Sequence, residues 1–196
     1  MDVTPPSAPH AVATHPPRGF VLWLSAAQLM SWGTLFYAFS LLLEHFERDL
    51  RLSRVDASLA FSLALLVEGV LAFWVGRLID SGRGRAVMSA GSALGATAFF
   101  TLASAQNAWQ LYAAWVVAGA AMAGCLYQPA FSILIRRYPE DYRRAIITLT
   151  FLGGLASTVF IPLVAWLIAT LGWRHAVIVL GALHLGMGLP IHLYWL

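Results

Sequence analysis

Six apolar runs, each about as long as a bilayer is thick, occupy this chain from Phe20 onward, and hinges of a few residues join them. The runs are Phe20–Leu43, Val55–Ile79, Ala86–Ala105, Trp109–Ile135, Ala145–Leu171 and His175–Leu196. A helix needs roughly 20 mainly apolar residues to cross a membrane. Backbone in lipid must satisfy its own hydrogen bonds, so runs of this length are expected as helices. The hinges EHFERDLRLSR, RLIDSGRGR, QN, RRYPEDYRR and GWR hold the charges and turn formers. Only 11% of the residues are charged, where a soluble domain carries about a quarter. The expectation is an all-α membrane protein with six transmembrane helices, the fifth bent at Pro162. Residues 1–19 hold five prolines and almost no large apolar side chain. They read as a disordered Pro-rich tail rather than a signal peptide.

The basic residues are arginines in short hinges, a layout that orients a bundle and argues against a nucleic-acid partner. With a cytoplasmic amino terminus, the inner face holds Arg18, Arg77, Arg83, Arg85, Arg136, Arg137, Arg143 and Arg144. The outer face holds Arg48, Arg51, Arg54 and Arg174, together with Glu44, Glu47, Asp49 and Asp56. This bias places both termini in the cytoplasm.

Two segments recur in the same order. AFSLLLEHF (Ala38–Phe46) closes the first run and AFSILIRRY (Ala130–Tyr138) closes the fourth, with four of nine positions identical. LIDSGRGR (Leu78–Arg85) and LIATLGWR (Leu167–Arg174) close the second and fifth, with three of eight identical. The two pairs are separated by nearly equal lengths of chain. A repeat of three spans must insert its second copy upside down, which predicts a 3+3 inverted repeat as in many secondary transporters.

Few polar groups lie inside the runs. Glu68 is the only acid deep in one, and a charge there costs about 2.5–3.5 kcal/mol on insertion scales. Ala60, Ala64, Ala72 and Gly76 share its face at four-residue spacing, a stripe that suits close helix packing. Glu68 is therefore expected to point into protein, as a proton carrier or as a neutral carboxyl bonded to a neighbouring helix. Tyr127 and Gln128 follow Ala123 and Gly124 by one turn, and Pro129 frees a carbonyl nearby. With Gln28 and Tyr37 they are candidates for a substrate or proton pathway, or for bonds between helices. His184 and His192 lie about 12 Å apart along a helix, and no other span offers a histidine to pair with them as haem ligands. His192 is expected at the membrane interface beside Tyr194 and Trp195. Cys125 reads as a small buried hydrophobe. No catalytic or metal-binding signature occurs, so neither an enzyme nor a cofactor is expected.

The hinge GRLIDSGRGR resembles the signature between the second and third helices of the major facilitator superfamily. Gly76, Leu78, Asp80 and Arg85 match it. Ser81 replaces an arginine, and Arg83 stands where a glycine is usual, with Gly82 and Gly84 beside it. The resemblance implies a conformational latch of Gly76, Asp80, Arg83 and Arg85 against a helix of a carboxy-terminal half. GWR (Gly172, Trp173 and Arg174) resembles the family's turn between helices five and six, on the opposite face. WGTLFYAFS, LYQPAFS and RRAIITLTFLGGLASTVFIP are similar to the bacterial monocarboxylate-transporter-like branch, which implies a small organic anion, often moved with a proton. The chain thus reads as the amino-terminal six-helix half of a secondary transporter in a bacterial inner membrane. Its partners would be a small-molecule substrate, the lipid bilayer, and a missing carboxy-terminal half or a second copy. The rival reading is a non-transporting six-span partner or regulatory protein derived from such a half.

Overall fold

The computed structural model describes residues 16–196. Residues 1–15 of the expected tail lie outside the described residues. Every regular element described is helical, and six helical stretches are long and apolar enough to cross a membrane. The first is α1 (Arg18–Ser31), a π-helical segment (Trp32–Tyr37) and α2 (Ala38–Asp49). The second is α3 (Arg54–Asp80) and the third α4 (Gly84–Ala103). The fourth is α5 (Ala108–Cys125) and α6 (Tyr127–Arg137). The fifth is α7 (Tyr142–Gly154) and α8 (Ala156–Leu171). The sixth is α9 (Trp173–Leu183), a second π segment (His184–Gly188) and α10 (Leu189–Trp195).

The ends follow from local chemistry. Ser53 Oγ accepts from the Asp56 N–H and starts α3; Asn107 Oδ1 accepts from the Gln110 N–H and starts α5. The α3 stop lies inside the charged hinge. Gly82 takes φ 86°; its N–H donates to the Ile79 carbonyl and the Arg83 N–H to the Leu78 carbonyl. This paired closure needs a left-handed residue, and glycine adopts that conformation without strain. Gly82 thus makes the turn although Arg83 stands where the family places its glycine. In the fifth span the interruption falls at Leu155, and Pro162 sits inside α8.

The first span packs on the fifth and sixth, the second on the fourth, and the third on the fourth and sixth. Exchanging first with fourth, second with fifth and third with sixth maps these pairings onto one another. The sequence repeat is therefore also a repeat of packing. Ala38 opens α2 just after the π segment, and Ala130 lies in α6 just after the break at Leu126. Both copies of AFS follow an interruption at mid-span.

Small residues make the tightest crossings, as packing in lipid requires. A Cβ on Gly91 would stand 2.8 Å from the Gly124 carbonyl carbon. One on Gly119 would strike the Ala64 backbone. Cys125 is a buried free thiol. His184 and His192 are both fully buried, His184 Nε2 2.8 Å from Thr34 Oγ1 and His192 Nδ1 2.9 Å from Ser92 Oγ. This corrects the interfacial expectation for His192, whose ring turns inward to a serine while Tyr194 and Trp195 remain outside.

Candidate functional site

Interruption concentrates at mid-depth. The π segment of the first span, the Leu126 break of the fourth and the Leu155 break of the fifth all lie near the middle of their helices. Leu126 has extended backbone, with ψ −162°. Pro129 explains this break, since its ring nitrogen has no hydrogen for the Cys125 carbonyl four residues earlier. Gln28 replaces the lost donor: its Nε2 lies 2.7 Å from that carbonyl, and the side chain is fully buried. Gln28 is thus a bond between the first and fourth spans. Its Oε1 is buried with no hydrogen-bond partner among the described residues.

The second and fourth spans run parallel. The Tyr112 hydroxyl donates to the Asp56 carbonyl at 3.1 Å, Ala64 meets Gly119, and Arg136 donates to the Asp80 carbonyl. This register sets Glu68 level with the end of α5, within electrostatic reach of Cys125. Glu68 is half-buried, and no hydrogen bond or ion pair engages its carboxyl among the described residues. The small-residue stripe divides at this point. Ala60 and Ala64 are fully buried against the fourth span, whereas Ala72 and Gly76 are only partly covered. A Cβ on Gly76 would meet nothing within 4 Å. Gly76 instead borders a groove of about 320 Å³ whose other wall is Gln128, Phe131, Ser132 and Ile135. Gln128 is exposed to that groove rather than packed in the fourth span.

Tyr127 is half-buried. Its ring stacks on Phe131 at 5.2 Å and tilts against Trp32 at 4.9 Å; its hydroxyl reaches toward the Thr150 carbonyl at 3.4 Å. Tyr37 lies within electrostatic reach of Tyr127 and packs edge-on against Phe36 at 5.4 Å. Tyr37 and Tyr127 lie where spans one and four meet, Gln128 borders the groove between spans two and four, Glu68 stands on the second span level with the end of α5, and Gln28 is buried between spans one and four. Trp32, Phe36, Phe61 and Phe131 join them, and sequence reasoning passed these over. Their signal was the cluster of aromatics in WGTLFY, in which Trp32 and Phe36 stand four residues apart.

At the α3–α4 hinge the four expected latch residues point to different places: Gly76 borders the groove beside Gln128, Arg83 lies with Trp74 and Arg77, and Arg85 with Ile133 and Arg136. Asp80 offers its backbone carbonyl to Arg136, while its carboxylate has no partner among the described residues. The opposite turn is fully engaged. Gly172 takes φ 78°. Trp173 Nε1 donates to Asp49 Oδ2 at 2.6 Å, and the Arg174 guanidinium caps the third span by donating to the Ala103 and Ala105 carbonyls at 2.8 and 2.7 Å. No group of three or more acidic, histidine or cysteine side chains is placed to hold a metal among the described residues.

Much apolar surface stays uncovered. Leu66, Val70, Phe73 and Trp74 on α3, and Ile147, Phe151 and Trp166 on the fifth span, are exposed.

Comparison with known proteins agrees with this architecture. The family model described as Major Facilitator Superfamily matches residues 21–196. An uncharacterized 38 kDa protein in the 23S RNA operon of Thermoproteus tenax is 28% identical over 179 residues, which are 91% of this chain and 47% of that protein. The chain spans about half the length of this curated relative. The chain belongs to the major facilitator superfamily: it is an integral membrane protein of a transporter family, not an enzyme.

Proposed function

We propose that this member of the superfamily is one wall of a secondary transporter that moves a small organic solute by alternating access. The observation that carries the reading is the unpaired Glu68 at mid-depth, level with the interrupted fourth span. Transporters of this kind hold substrate and coupling ion near the bilayer midplane, where broken helices leave polar groups free. An intramembrane carboxyl is costly, so it is retained for a task. We assign Glu68 the coupling proton, with Tyr37, Tyr127 and Gln128 along the pathway and Gln28 supporting it from behind.

One wall cannot gate, because alternating access needs two bodies that rock against each other. The exposed faces of the second and fifth spans suit a second six-helix body, either a carboxy-terminal half or another copy of the chain. The open space at Gly76 and the free carboxylate of Asp80 suit the latch to that body. The arginine bias supports a cytoplasmic amino terminus, and a bacterial inner membrane draws its support from sequence resemblance alone. The organic-anion reading draws its support from sequence resemblance alone.

The test is gradient-driven uptake in proteoliposomes. Residues 1–196 reconstituted together with the second body accumulate solute under a proton gradient, and Glu68→Gln removes that accumulation while solute exchange continues. Unchanged accumulation in Glu68→Gln would overturn the coupling role. Absence of any uptake by the complete assembly would favour the non-transporting partner instead.

A further inference from the structure

A run of partly covered rings crosses spans one, two and four, and Phe61 carries it onto the helix face that bears Glu68. The π segment widens the first span's turn, so residues four and five apart come to the same side. Trp32, Phe36 and Tyr37 therefore gather on one face. Trp32 tilts on Phe36 at 5.2 Å, and Phe36 meets Phe61 edge-on at 5.3 Å. Phe61 lies two turns before Glu68 on the same face of α3. Tyr127 and Phe131 continue the wall on α6. All six rings are only partly covered, whereas Phe46 and Trp115 in the adjoining core are closed off.

The charge on this wall has one sign. Every arginine stands at a helix end or in a connection, and the chain has no lysine. His184 and His192 are sealed against Thr34 and Ser92, away from the open face, and His45 and His175 stand near helix ends. Glu68 is the ionisable acid among the rings. An aromatic face attracts cations through its quadrupole, more strongly where water is excluded. An unpaired carboxylate attracts the same ligand and repels an anion.

We propose that this wall binds an organic cation, an amine or quaternary ammonium carrying an apolar group, with Glu68 as counter-charge and Trp32, Phe36 and Tyr127 as the aromatic cage. This rests on the transporter reading for the identity of the site and departs from the organic anion that the resemblance implies. An organic anion would find no base on this wall, so its counter-charge would have to come from the second body.

The test measures binding, not transport. Residues 1–196 in lipid nanodiscs, with the second body, are titrated with benzyltrimethylammonium, its uncharged isostere neopentylbenzene, and phenylacetate. The cation is expected to bind about tenfold or more tightly than either comparison ligand. Glu68→Gln and Trp32→Leu each reduce cation affinity about tenfold and leave the neutral isostere within about twofold, while Glu68→Asp retains cation preference. Helical circular dichroism and melting confirm that each variant is folded. Preferred binding of phenylacetate, cation affinity unchanged in Glu68→Gln, or no binding of any probe would each overturn the inference. Uptake of an anion by the assembly would sink the cation reading and leave transport standing; a cation bound but never moved would do the reverse.

Discussion

At the scale of single residues, the polar groups inside the bundle divide by whether a partner is built in. Gln28 has one, the carbonyl that Pro129 leaves open. Gln28→Leu strands that buried carbonyl and costs about 1–3 kcal/mol. Pro129→Ala restores a backbone donor, so the double variant should lose less than the two single losses combined. Melting in mild detergent measures this; strict additivity would show that Gln28 does not answer Pro129. Glu68 has no such partner, which is why its substitution should act on transport and binding more than on folding. Arg174 is the opposite case, with two carbonyls on one guanidinium. Arg174→Ala uncaps the third span and lowers stability by about 1–3 kcal/mol without touching the open face. An unchanged melting curve would contradict the capping role.

Between elements, glycine separates crossings that are closed from a groove that is open. Gly119 has the Ala64 backbone against it, so Gly119→Val must part the second and fourth spans. A loss of about 3 kcal/mol or more, or failure to fold, is expected from overpacking at such a crossing. Gly76 stands three turns beyond Ala64, rotated about 120° around α3, and opens on the groove beside Gln128. Gly76→Val should change the stability of this chain by no more than about 0.5 kcal/mol and should weaken its association with the second body. Melting and crosslinking on both variants read the contrast directly. Equal damage at the two positions would mean that the groove is closed by this chain itself.

The whole molecule is a bundle whose second and fifth spans are the least covered. Its most exposed spans, the second and fifth, exchange under the repeat, so the repeat that builds the bundle also places its two uncovered faces. Purified residues 1–196 are expected to self-associate or to be unstable in detergent, and to give no gradient-driven uptake alone. Crosslinking with mass measurement tests the first point. Robust uptake by a proven monomer would refute the two-body argument. The arginine bias predicts that a reporter fused after Gly82 is cytoplasmic and one after Gln106 is periplasmic. Swapped signals would reverse the orientation and move the latch to the other face.

Six long apolar runs, arginine hinges and a threefold-span repeat were legible in the linear chain because each depends on local composition or on period alone. Span number and helical class follow from such terms. Glu68 was legible for the same reason, as a lone acid in an apolar run. Which polar groups are satisfied was not legible, because a hydrogen bond across helices depends on register and rotation. Gln28 stood between a pathway and a bond between helices until the fourth span set the Cys125 carbonyl against it. His192 looked interfacial until Ser92 was brought to its ring. The aromatic wall needed one further fact, that the first span changes pitch at Trp32–Tyr37. An ordinary helix keeps Trp32 and Phe36 on one side and turns Tyr37 away, and the widened turn that brings Tyr37 round to them exists only where the helices pack.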